Sequence, residues 1–172
     1  MLYDLKGENS MSPIVGMLHS AVIENNQRLW LITDGMSQEE LDYKGNNHRF
    51  NSTAQLIKHL MVVDLNWACR IKGEPLSVSL KERYGPMIDQ NNELPMVKEV
   101  CLKSLMSNYD DVLAMLKDAC LSLTDDDLVK VVTFGHNNEK QATLRWGLWH
   151  IADHCRYHQA HINQLRKWYR EA

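Results

Sequence analysis

The chain of 172 residues has no uninterrupted apolar stretch near the roughly 18 residues a membrane helix needs, so no membrane span is expected. Its first eight residues lack a basic start followed by an apolar run, so no signal peptide is expected either. Glycine and proline are scarce, at 8 and 4, which excludes a collagen-like or proline-rich chain. Only 2 Phe stand against 9 Met and 5 Trp, a balance that suits long helices better than sheets. No charge of one sign dominates: 19 Lys plus Arg face 22 Asp plus Glu, which argues against binding driven by nucleic acid or an acidic membrane surface. None of the four cysteines forms a C-x-x-C pair. The expectation is therefore reduced, mostly buried thiols in a cytoplasmic protein. Internal repeats and low-complexity segments are absent.

What remains is 44% hydrophobic and long enough to bury a core as one domain. Four amphipathic stretches predict helices near residues 13–33, 52–72, 95–121 and 143–170. Ser12 followed by Pro13 opens the first, and Gly35 closes it. Ser52 and Gln55 fit a capping box at the start of the second, which stops at Gly73 and Pro75. The connections, of about 17 to 23 residues, exceed the two to eight usual in bundles, and long connections permit parallel neighbours. In the last connection, residues 129–134 and 140–144 flank Gly135-His136-Asn137-Asn138, which predicts a small β-hairpin. The acidic run Thr124-Asp125-Asp126-Asp127 reads as a helix cap and first turn. Residues 1–12 form an arm without an assigned role.

Four of the eight histidines fall in residues 150–161. At about 100° per residue, His150, His161, His154 and His158 lie near 0°, 20°, 40° and 80° on the helical wheel. Leu165 and Ile151 share or border that quadrant, while Arg156, Asn163, Lys167 and Arg170 lie opposite. The histidines are thus expected on the buried face. A single buried histidine is usually satisfied by a hydrogen bond within the core. Four in register point further, because an i, i+4 pair can aim two imidazoles at one metal ion. No glutamate completes H-E-x-x-H, so a zinc protease is excluded. Nor does any helix carry the Glu-x-x-His of di-iron carboxylate bundles. A third ligand should come from another helix: His59, at the edge of the second helix's apolar stripe, is favoured over His19. His48 and His136 sit in polar loop sequence and are expected at the surface.

The segment from Ser52 to Glu74, with His59 in Leu-Ile-Lys-His-Leu and then Asp64, Trp67 and Gly73, resembles the second helix of the DinB-like (DinB/YfiT) metalloenzymes. Leu148-Trp149-His150 through Tyr157-His158 to Leu165-Arg166 resembles their last helix, with its pattern His-x-x-x-His-x-x-x-His-Arg-Gly-Gln. Leu31 to Leu41 is also similar, and the likeness spans most of residues 12–170. It implies an all-α four-helix bundle in up-down-down-up order. It also implies His59, His154 and His158 as the ligands of a divalent transition metal, Zn or Ni. Relatives include transferases and isomerases that use a low-molecular-weight thiol. The pattern is departed from in two places: Gln159-Ala160-His161 replaces Arg-Gly-Gln, and Asp64 replaces a glutamate. Asp64, Tyr157 and His161 are the candidates for supporting the site.

Three imidazoles leave a coordination position open, a catalytic rather than a structural arrangement. The expected function is a metal-dependent transferase or hydrolase acting on a small molecule. The alternative is a non-catalytic metal- or ligand-binding bundle. A homodimer is expected from apolar residues beyond one bundle face, including Leu148.

Overall fold

The structure is a computed structural model that describes residues 2, 4–135 and 137–172. Six helices and one two-stranded sheet are present among the described residues: α1 (Pro13–Thr33), α2 (Gln38–Asp42), α3 (Thr53–Lys72), α4 (Val78–Tyr84), α5 (Leu102–Leu121), β1 (Val131–Phe134), β2 (Lys140–Thr143) and α6 (Leu144–Glu171). Short 3-10 turns occupy Asn46–His48 and Asp125–Val129. The chain is thus mostly helical, and none of its described helices is long and apolar enough to cross a membrane.

Local chemistry sets most helix ends. Ser52 accepts from the Gln55 amide at 3.2 Å, and the Gln55 side chain accepts from the Ser52 amide at 3.1 Å, the expected capping box. Gly73 ends α3 in the left-handed region at φ 71°, where a β-carbon is disfavoured. Ser12 makes no side-chain cap on α1. Asp125 caps it instead, accepting from the Ile14 and Val15 amides at 3.0 and 3.1 Å. The acidic run therefore has two uses, since Thr124 and Asp127 also form a capping box on their own 3-10 turn.

The third long helix departs from expectation. It begins at Leu102, not near residue 95, with Cys101 as its cap. Glu99 holds φ 59°, a left-handed conformation that a continuous helix cannot contain. The long connections are not bare loops either, because α2 and α4 lie within the first two. The hairpin forms as expected, with Val131 opposite Thr143 and Phe134 opposite Lys140, although Val129 stays in the preceding 3-10 turn.

Side-chain pairs give the directions of the four long helices. Asn25 lies against Ala152 and Ile32 against Arg166, so α1 and α6 run together. Asp64 meets Tyr109 and Lys72 meets Asp118, so α3 and α5 also run together. Trp67 packs beside Trp146 and His59 beside His154, so α3 runs against α6. Among them lies one apolar core that includes Leu60, Met106, Leu116, Ile151 and Ile162. Leu148 belongs to it and is fully buried, so it offers nothing to a second copy, contrary to the reading that placed it at an interface. The amino-terminal arm lies against α1, where Gly7 meets Gly16, and Glu8 pairs with Lys117 of α5.

Candidate metal centre

The antiparallel contact of α3 and α6 places His59 opposite the i, i+4 pair on α6. His154 Nε2 lies 3.2 Å from His59 Nε2 and 3.0 Å from His158 Nε2. The candidate ligand atoms of the three residues all fall within 4.8 Å of one another. Each neutral imidazole nitrogen carries either one proton or one lone pair. His154 Nε2 can therefore satisfy one neighbour and must mismatch the other. One cation accepts all three lone pairs at once. Tetrahedral zinc with Zn–N bonds near 2.0–2.1 Å requires nitrogen separations of about 3.3 Å, close to the 3.2 and 3.0 Å from His154 Nε2 to its two neighbours. The donor set fits a borderline transition metal and not Mg²⁺ or Ca²⁺, which favour oxygen.

Electrostatics keeps the imidazoles in their ligand form. Burial, then the neighbouring His158, His59 and His150, pushes His154 down to about 3. Burial, with His59 and His161 beside it, pushes His158 down to about 4. His59 is lowered by burial as well. All three are neutral at pH 7, and at His154 and His158 protons compete with a metal only at markedly acidic pH.

The supporting shell differs from expectation. His161 Nδ1 is 3.4 Å from His158 Nδ1; with the proton on His158 Nδ1 and His161 Nδ1 accepting it, His158 Nε2 is left free for a ligand role. The Nδ1 atoms of His59 and His154 are buried and have no hydrogen-bond partner among the described residues. Tyr157 stands edge-on to His158 and His161, but its side chain is largely exposed. Asp64 turns away from the triad: its Oδ2 accepts from the Tyr109 hydroxyl at 2.6 Å. Burial raises its carboxyl to about 8 despite that bond. Gln159 also faces elsewhere, donating to the Asn25 carbonyl at 2.8 Å and to Cys155 Sγ at 3.2 Å.

The remaining histidines separate clearly. His150 stacks on Trp146 and His154, at centroid distances of 4.6 and 5.3 Å, extending the stripe without joining the triad. His19 is buried on α1 near Glu8 and Lys117, away from the site. His48 is exposed, as expected, and His136 lies outside the described residues.

Two cavities are lined in part by residues of α3. One, of about 280 Å3, includes Leu56, His161 and Leu165. Another, of about 650 Å3, includes Val62, Asn66, Cys69 and Arg70. Neither is signalled by a sequence motif, because each is walled by residues from separate elements.

The profile of the mycothiol-S-transferase family matches residues 17–171. The chain belongs to this DinB/YfiT-like family. It is also 43% identical over 165 residues to YkkA of Bacillus subtilis strain 168, a protein described as uncharacterized; the match covers 95% of this chain and 93% of that relative. The family assignment agrees with the residues of α3 and α6 that carried the resemblance. It also places the three converging imidazoles in a chain of the thiol-transferase class.

Proposed function

We propose that this member of the mycothiol-S-transferase family is a metal-dependent S-transferase. It would join the sulfur of a low-molecular-weight thiol to a small electrophile. The observation that carries the reading is the convergence of three Nε2 atoms on one point, with His154 unable to satisfy both neighbours unaided. Family membership supplies the thiol, and the cavity lined by His161, which contacts His158, offers room for a substrate beside the site. The pairings of the four long helices support the up-down-down-up bundle of the family.

In this reading His59, His154 and His158 hold one divalent transition metal, Zn or Ni. That group, when bound, supplies a Lewis acid that favours the thiolate over the thiol. The protein's own part is to keep the imidazoles neutral by burial and to orient His158 through His161. The sulfur forms a bond to carbon of the acceptor, the leaving group departs with the bonding pair, and the thiol proton goes to solvent. The chain works as a cytoplasmic homodimer in this proposal, with exposed Ile14, Met17 and Leu31 of α1 as available apolar surface.

Elemental emission on purified protein, paired with loss of free thiol in the presence of an alkylating acceptor, tests the reading. Wild type should bind about one metal per chain and consume thiol only when loaded. Unchanged metal content after joint replacement of the three histidines by Ala would refute the site. Metal-loaded protein that leaves every offered thiol intact would refute the transferase.

A further inference from the structure

The cavity of about 280 Å3 beside the triad has an unusual lining. Leu56, Leu165, Phe50 and Trp168 give it apolar walls, and Arg49, Asn51 and Gln164 add polar groups. Phe50 is 47% exposed, yet its ring is held in place. It tilts against Trp168 at 5.0 Å between centroids, and its amide donates to the Lys44 carbonyl at 3.0 Å. It also lies over Gly45, where an added β-carbon would come within 2.6 Å of the ring. Gly45 therefore clears the space the ring occupies. An exposed aromatic wall fixed in this way is preformed for a flat apolar partner.

The lining carries one formal charge, that of Arg49, and no acid. The side chains of Arg49, Asn51 and Gln164 make no hydrogen bond or ion pair with other protein groups among the described residues. A guanidinium beside a planar apolar slot suits a carboxylate or similar anion on an aromatic ring. His161 lines the same cavity and contacts His158. A molecule seated there would touch the imidazole that adjoins a triad member.

We propose that this cavity binds the acceptor substrate, a small aromatic anion whose ring lies against Phe50 and Trp168 and whose charge faces Arg49. The assignment rests on the S-transferase reading for the word acceptor, but the binding itself does not need the metal. The volume fits a ligand of about a dozen non-hydrogen atoms, smaller than drug-sized occupants.

Calorimetric titration with 4-nitrobenzoate, an unreactive aromatic anion, tests it, with methyl 4-nitrobenzoate as the uncharged control. Wild type should bind the anion saturably and more tightly than the ester. Phe50→Ala should weaken the anion by about tenfold, the loss of about 1.4 kcal/mol of contact. Arg49→Gln should weaken the anion by about threefold, as expected for an exposed charge, and leave the ester unchanged. Gln164→Trp, which fills the slot from an exposed position, should abolish binding of both. The triple histidine variant should retain the anion within a factor of about three, since no triad residue lines the cavity. Absence of saturable binding in wild type, or equal affinity in the Phe50 and Gln164 variants, overturns the proposal. Retained binding in a metal-free triple variant that consumes no thiol upholds it. Loss of binding in the Phe50 variant at normal metal content also separates the cavity from the metal centre.

Discussion

His161 is the residue that most distinguishes this site. It stands where the family pattern has a glutamine, and its ring nitrogen lies 3.4 Å from His158 Nδ1. A glutamine carbonyl can only accept there, whereas an imidazole accepts or donates according to its tautomer. His161→Ala should lower metal affinity by about tenfold, the usual lower bound for an outer partner of a ligating histidine. Competition with a chelator of known affinity measures this. His158→Ala should lose most of the metal with the helical circular dichroism intact, because the apolar stripe of α6 does not depend on that imidazole. Greater metal loss from the His161 variant than from the His158 variant would mean that the two roles are exchanged.

At the scale of elements, two contacts set how α6 sits. At Gly147 α6 comes close to α3: a β-carbon there would lie 2.3 Å from the Trp67 ring, and Trp67 is itself buried. Alanine favours a helix over glycine by about 1 kcal/mol. Even so, Gly147→Ala should destabilise by about 1–3 kcal/mol because overpacking outweighs propensity. It should also weaken the metal, since pushing α6 from α3 separates His154 from His59. Denaturant melts and metal titration of the same sample check both effects. At the other end, Arg166 donates to the carbonyls of Ile32 and Asp34, which the end of α1 leaves open, and its Nε lies 3.1 Å from a nearly buried Glu40 carboxylate. Arg166→Ala leaves that carboxylate without its countercharge and should cost about 3 kcal/mol. For a chain of this size that is a fall in Tm of roughly 6–12 °C. A change under one degree would show that the clasp is only a surface contact.

Across the whole molecule, opposing buried groups shape stability against pH. His154 and His158 titrate near 3 and 4 in the fold, against 6.5 in an unfolded chain. Between those values the unfolded chain binds more protons, so stability falls as pH drops from about 6.5. Asp64 behaves in the opposite sense: at about 8 in the fold against 3.8 unfolded, its contribution is full at acid pH and lost as pH rises towards 8. Two imidazoles outweigh one carboxyl below about 6.5, and Asp64 alone of these three acts above it. Metal-free protein should therefore be most stable near pH 6–7. Asp64→Asn keeps an acceptor for Tyr109 and should flatten the decline between pH 6.5 and 8. An unchanged slope there in thermal melts would place the titration elsewhere. The dimer is a separate whole-molecule expectation: sedimentation should give twice the chain mass of 20.0 kDa, and a monomer at every concentration would contradict it.

The sequence alone determined what depends on neighbours within a few residues. Helical spacing, the Ser52–Gln55 box, Gly73 and the register of His154 with His158 are all local properties of the chain, and each stands in the fold where the pattern placed it. The start of α5 is not legible in the sequence, because residues 95–101 carry no local sign that Glu99 adopts a left-handed conformation. Tertiary structure decided what depends on which elements meet. The meeting of α3 and α6 brought His59 to His154 and, with the loop carrying Phe50, closed a cavity from Phe50, Leu56 and Trp168, while the meeting of α3 and α5 turned Asp64 towards Tyr109. A period of 3.6 residues states which face of a helix is buried, but not against which partner. Partner choice is a matter of packing between distant segments, and at Gly147 it turns on the absence of a single methyl group.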